Sequence, residues 1–377
     1  MAGGACQIGN VRNLLIICKL IDFITQLNFK QMNKSNILAA AAAILTLASC
    51  QNDETLKINN GEGIAFRTAM TTKAAEVTTE NLKAFWVTAY DGTDANNYFT
   101  AQKYTKNEGN SHFESDPVYY WPDDALTFQA YAPEVGNVSI NKDEQKVTGF
   151  TPNTNISQQV DFITATATGN KTTNEGTGVA LTFGHRLSQI KVMAKNGNTG
   201  YKISVRGVRI GSVSGSGDFS FANNSWDNLG EKAKYEVLYK DAARDLNDQP
   251  QSLMSDKADD NAMLIPQQLT AWEPTTDRTN DSKNSYISVL VTITTAAGAH
   301  IYSGWAAVGI DEKWEANKKY VYTLDFSNGA GNVDPEGPGE GEDGDKNPGD
   351  EIFGDPIFFT VTVTPWEPET SEEVPLK

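Results

Sequence analysis

Cysteine is nearly missing from this chain: only Cys6, Cys18 and Cys50 occur in 377 residues. The long segment after residue 50 therefore has no disulfide framework and no thiolate chemistry. Its stability must come from a hydrophobic core, which roughly 300 residues can build as two domains. Histidine is also scarce. His112, His185 and His300 lie far apart in sequence with no H-x-x-x-H pair, so a zinc site would need all three to converge. Each is expected on the surface or in a hydrogen bond. The nucleophile elbow G-x-S-x-G is absent. Basic residues number 31 against 48 acidic, a net charge of −17 that repels phosphate backbones and speaks against nucleic acid as a partner. No apolar run approaches the ~20 residues that a membrane-spanning helix needs, and no helical period is sustained.

One short apolar run is present, over residues 37–47, the length of a signal-peptide h-region. Leu47, Ala48, Ser49 and Cys50 follow directly, which is the lipobox pattern of a bacterial lipoprotein. On this reading Cys50 is the first mature residue and carries the acyl chains. The chain is then exported and anchored to a membrane. Met32-Asn33-Lys34-Ser35 reads as the natural start, so residues 32–49 form the signal peptide and residues 1–31 a spurious upstream extension. The stretch 14–24 is apolar but interrupted by Lys19 and Asp22, a poor membrane span.

Residues 1–49 hold four basic groups (Arg12, Lys19, Lys30, Lys34) and one acid (Asp22), leaving 27 basic and 47 acidic residues beyond them, a charge of −20. Acidity of that size suits the colloidal solubility of a surface protein. Nine of the acids fall between Asp334 and Asp355, within a Gly- and Pro-rich stretch, 329–356. That stretch reads as disordered or as a long surface excursion.

From Ile64 onward short β-rich runs alternate with Gly, Asn, Asp and Thr clusters. Leu126, Phe128 and Ala130 share one face of such a run. Residues 161–168 and 179–183 continue the pattern. Residues 201–205 and 208–210 alternate out of phase, with Gly207 at the slip, the signature of a β-bulge. Residues 286–294, 319–326 and 357–366 complete the series, and only 232–246 suggests a helix. The fold class is all-β, with many short strands that fit paired sandwiches. The Gly-rich segment 169–178 is the natural divider. It gives a tether and N-terminal domain over 50–178 and a C-terminal domain over 179–377, ending in a strand at 357–366.

No enzyme emerges from the motifs, and no cofactor or metal is implied. Gly211 to Gly217 follows a strand without opening a helix, so it fits neither a P-loop nor a Rossmann turn. Reading Asp343, Asp345 and Asn347 as the start of a calcium loop puts Pro348 where glycine is required. Paired carboxylates for glycoside hydrolysis cannot be singled out among 47 acids. The tryptophans, Trp86, Trp121, Trp226, Trp272, Trp305, Trp314 and Trp366, read as core or inter-sheet packing. Their other reading is as platforms for sugars.

Several phrases together resemble one family. Tyr119-Tyr120-Trp121-Pro122 followed by Leu126-Thr127-Phe128-Gln129-Ala130-Tyr131-Ala132-Pro133 is similar to the "W-P … F-x-A-Y-x-P" segment of fimbrillin-like proteins. Asp161-Phe162-Ile163-Thr164-Ala165 resembles the strand that follows. Leu181 to Ile190 resembles the "L-x-F-x-H-x-L-S-x-I" run of that family. Leu264-Ile265-Pro266-Gln267 and the terminal residues 359–366 match its late landmarks. The resemblance spans residues 32–377.

It implies two tandem transthyretin-like (Ig-like, Greek-key) β-sandwich domains and a role as a subunit of type V pili of Bacteroidales. In that family the precursor reaches the outer membrane as a lipoprotein. An arginine-directed protease removes the lipidated end with the first strand, and a neighbouring subunit donates a strand into the groove. The position here that matches the cleavage site is Arg67, with Lys73 a weaker candidate. Ile64 and Phe66 are the matching groove-filling side chains. Phe359, Val361 and Val363 form the candidate donor strand, which reads equally as the closing strand of its own domain. The implied partners are other pilus subunits, the outer membrane through the lipid, and a host glycan or protein receptor. Asp53 and Glu54 resemble the acidic export signal of surface lipoproteins. The second reading is a surface adhesin or glycan-binding lipoprotein, at a pilus tip or anchor, that does not polymerise. A surface hydrolase would need a convergent cluster of titratable groups.

Overall fold

The structure, a computed structural model, describes residues 63–70, 82–93, 96–107, 112–240, 242–254, 261–275, 278–339 and 342–366. All of these lie in one compact unit, 58–377. Leu47, Ala48, Ser49, Cys50, Asp53, Glu54 and Lys73 fall outside the described residues.

The chain begins with β1 (Phe66–Met70), β2 (Ala84–Tyr90), β3 (Phe99–Lys106), β4 (Phe113–Ser115) and β5 (Leu126–Ala132). The short β6 (Val138–Ile140) and β7 (Gln145–Phe150) lead to β8 (Ile163–Gly169) and β9 (Val179–His185). Then follow β10 (Ser188–Lys195), β11 (Tyr201–Ser214), β12 (Gly217–Ser220), β13 (Ser225–Asp227) and β14 (Lys232–Leu238). After β15 (Arg244–Asp245), β16 (Gln251–Ser252) and β17 (Ala262–Leu264) come the long β18 (Tyr286–Thr295), β19 (His300–Gly309) and β20 (Lys318–Asp325). The chain closes with β21 (Gly329–Val333), β22 (Glu351–Gly354) and β23 (Phe358–Pro365).

Seven of the first nine strands form a closed ring in the order β1-β4-β3-β2-β5-β8-β9. Alternation explains the ring: side chains at every second position point into one shared core. That core holds Phe85, Val87, Phe128, Ala130, Leu181 and Phe183, all fully buried. In β5 the predicted face of Leu126, Phe128 and Ala130 fills the ring, while Tyr131 points the other way into a separate cluster with Phe162, Phe219 and Trp366. Burial on both faces fits its near-continuous apolar composition.

The second half is a sandwich. One sheet runs β16-β10-β20-β23, with β17 also on β10, and the other runs β14-β11-β18-β19-β21-β22. Ile190, Val192, Tyr320 and Tyr322 from the first sheet share one core with Ile203, Val205, Val289 and Val291 from the second. The predicted bulge is present: the β11–β18 register slips between Val205 and Gly207. A Cβ at Gly207 would lie 2.7 Å from the Val237 carbonyl oxygen, so the slip has room only for glycine. A small sheet, β13-β12-β7-β6, packs beside the cluster around Phe162.

Three expectations are corrected. Residues 232–246 form strand β14 and its exit, because pairing with β11 buries Tyr235 and outweighs the helix propensity of the segment. The described residues of the acidic stretch 329–356 form β21 and β22 and pack on the fold. Ala330, Val333 and Ile352 are buried in the main core, and Asp334 is fully buried. The boundary expected at 178 cuts the ring, since β9 is bonded to β1 and β8; the segment before it holds a single helical turn, Lys171–Asn174, capped by Asn170.

Candidate functional site

The ring is closed thinly. Strand β1 pairs with β9 in parallel over five positions, from Phe66↔Val179 to Met70↔Phe183, but meets β4 only at Phe66↔Phe113. On the other side β9 meets β8 only at Ile163↔His185 and Thr164↔Gly184. Strand β9 therefore takes more of its ladder from β1 than from β8.

Phe66 is 0% exposed and stands edge-on to Tyr104 (4.7 Å), Phe128 (5.1 Å) and Phe85 (6.0 Å) between ring centroids. Ile64 is buried beside it, and its N–H donates to the Tyr119 carbonyl at 2.7 Å. Each such side chain contributes about 1.5–3 kcal/mol by leaving water. Arg67 points to solvent opposite Ala180, as alternation requires. Its side chain is accessible, whereas its backbone sits within the ladder. The Val179 N–H donates to the Ala65 carbonyl at 2.9 Å. Gly178 enters this contact at φ +68°, and a Cβ there would lie 3.2 Å from the Ala65 oxygen, so the close approach needs glycine.

Strand β23 pairs antiparallel with β20 from Lys318↔Pro365 to Asp325↔Phe358 without a slip, and with no other described strand. Phe359 and Val361 are half-buried against the main core, while Val363 on the same face is 50% exposed. Ile357 and Trp366 are buried at its two ends. The Trp366 N–H donates to the Asn317 carbonyl at 3.0 Å, and its ring stacks on His185.

The histidines do not converge. His185, fully buried, bonds through Nδ1 to Asp161; His300 bonds to Asp343 at 3.0 Å; His112 is buried at the start of β4. No group of three or more His, Cys, Asp or Glu able to hold a metal occurs among the described residues. The His185–Asp161 pair was missed in sequence, although the buried phase Val179, Leu181, Phe183 carries straight on to His185.

A second buried charge pair joins Asp334 and Arg209. Asp334 is ion-paired with Arg209 (3.1 Å) and accepts from Ser288 Oγ and from the Glu336 N–H (2.7 Å). Burial still raises its pKa, against the pull of Arg209 and Ser288. Arg209 also bonds Glu236 at 2.7 Å and lies 4.1 Å from the Trp305 ring centroid. Five of the tryptophans are buried; Trp86, under Lys103, and Trp226, which donates to the Arg186 carbonyl, are half-buried. A cleft of about 450 Å³ runs beside β14, lined by Thr154, Asn155, Lys234, Glu236 and Leu238, with no histidine or cysteine in it.

A family model described as fimbrillin-like matches residues 72–366. Among solved structures, a fimbrial protein from Bacteroides vulgatus ATCC 8482 is 15% identical, with a TM-score of 0.52 over 80% of this chain and 99% of that one. A candidate cell adhesion protein from Bacteroides uniformis ATCC 8492 is also 15% identical, with a TM-score of 0.42 over 82% of this chain and 99% of that one. At such identities the likeness concerns the fold. A search of curated protein sequences finds no match.

Proposed function

This chain belongs to the fimbrillin-like family, and on that premise we propose that it is a structural subunit of cell-surface fimbriae, exported as a lipoprotein through Cys50 and assembled by protease-triggered donor-strand exchange. The observation that carries the reading is the seating of β1. Phe66 plugs the centre of the ring core, yet the strand is tied to β4 by one residue pair and chiefly to β9. Cleavage after Arg67 removes Ile64 and Phe66 with the tether, and leaves Thr68 to Met70 without their anchor. Val179 and Ala180 lose their partners at once, and release of the remaining three-residue stub opens the ring core and the rest of the β9 edge. A strand supplied by another subunit restores main-chain hydrogen bonds and fills the vacated pockets, the physics of β-augmentation. Strand β23 suits the donor role because a single ladder, to β20, holds its length. Its departure costs the burial of Ile357 and Trp366, which the acceptor must replace.

The test is limited trypsin digestion of residues 51–377, followed by N-terminal mass analysis and size-exclusion chromatography. An early cut after Arg67 with a shift to higher oligomers is expected. Resistance at Arg67 with no such shift would overturn polymerisation. It would favour a tip or anchor lipoprotein that keeps its first strand and binds a host glycan or protein. Tyr98 and Tyr120, 41% and 58% exposed and joined by a Tyr98 Oη bond to the Tyr120 carbonyl, would be the aromatic platform of that second reading.

A further inference from the structure

We propose that β23, while seated on its own β20, is a homotypic docking edge: its open side pairs antiparallel with β23 of a second copy, about a two-fold axis at Thr362. Natural sheet edges are guarded by charge, shortness, bulges or cover. The other described edges follow that rule. Strand β14 carries Lys232, Lys234 and Glu236 and is bridged by Asn155 at Glu236. Strands β16 and β17 have two and three residues, β13 and β6 three each, and β22 four with Glu351 among them.

Among the described residues, strand β23 has none of these guards. It runs eight residues in unbroken register, with no charge and no glycine, and its one proline is the last residue, Pro365. Phe358 and Val363 are 64% and 50% exposed.

The sequence also selects the occupant. Thr360-Val361-Thr362-Val363-Thr364 is a palindrome. An antiparallel dyad at Thr362 sets Thr360 against Thr364, Val361 against Val363, and Thr362 against itself. Such Thr–Thr and β-branched pairs are favourable across a ladder, and the contact is isologous. The exposed Val363 gains Val361 of the second copy as a neighbour on the same face. On a chain of net charge −17, this uncharged strip is where a copy meets no opposing charge. An edge of this length buries less than the ~1,200 Å² of a stable interface, so the dimer is weak and concentration-dependent.

Sedimentation velocity of the full chain, carrying Cys50→Ser and kept in reducing buffer, tests this across a concentration series. The wild-type strand should give a reversible dimer before any proteolysis. Thr362→Lys and Thr362→Glu each set like charges face to face and should weaken the dimer by about tenfold or more. An equimolar mixture of the two should restore it, because Lys then faces Glu, and unchanged circular dichroism checks their folding. A monomer at every concentration would overturn the proposal. So would variants that dimerise like wild type, as they would if β23 were swapped onto a neighbour's β20, or a mixture that restores nothing. Oligomers that arise only after cleavage at Arg67, with a monomer before it, would support strand exchange and overturn this dimer.

Discussion

His185 and Trp366 stack face to face, with ring centroids 4.6 Å apart and planes 16° from parallel. One ends the ring strand β9 and the other follows the terminal strand β23, so the contact ties residues far apart in sequence. Trp366 lies in the cluster that also holds Tyr90 and Tyr131 from the ring and Met263 and Ile265 from the β17 region. Replacing Trp366 with alanine should cost about 3–5 kcal/mol by transfer and cavity formation. Urea unfolding reads this directly, and a loss below 1 kcal/mol would mean that the cluster does not depend on the indole.

Phe66 offers a second measurement. Phe66→Ala should also cost about 3–5 kcal/mol, and it should raise amide hydrogen exchange in β9 more than in β18. The reason is local: β9 takes five register pairs from β1 and two from β8. Equal exchange in both strands would show that β1 does not hold β9.

Arg209 and Asp334 form a buried pair whose partners are not interchangeable. Arg209→Met leaves the Asp334 carboxylate buried without its counter-ion, a loss of about 3–5 kcal/mol. The double variant Arg209→Met/Asp334→Asn should recover much of that loss, because no uncompensated charge remains. Chemical denaturation of the three proteins gives the comparison. A double variant no better than the single would assign the cost to packing against Trp305 instead.

Glu342 supplies the pH dependence. A hydrogen bond from Arg206 is the main cause that holds its carboxyl below the ordinary 4.5, with burial opposing and Ser303 assisting. A depressed carboxylate stabilises the fold above its unfolded pKa, and the contribution is lost as pH falls through the folded value. Arg206 is 35% exposed, so solvent screening limits the pair to about 0.5–1 kcal/mol. Glu342→Gln should therefore lower the melting temperature at pH 7, and the gap should close as the pH drops well below 4.5. A gap that persisted in acid would show that the charge is not its origin.

The sequence by itself determined what is local and periodic. Alternation at Leu126, Phe128 and Ala130, the slip at Gly207 and the apolar beat of 357–366 depend on neighbours two residues apart, so the strands were legible. The scarcity of histidine and cysteine is a matter of composition, and Ile64 and Phe66, which the family resemblance singles out, are buried. Tertiary structure decided the rest. Residues 232–238 became a strand because β11 offered a partner that buried Tyr235. The described part of the acidic stretch packs on the fold because Asp334 meets Arg209, 125 positions earlier in the chain. The divider expected at 178 fails because β9, which starts at Val179, pairs in parallel with β1, more than a hundred residues before it. Composition reports whether a segment can be solvated. Pairing with a distant strand, which satisfies backbone groups and buries side chains together, fixes whether it is.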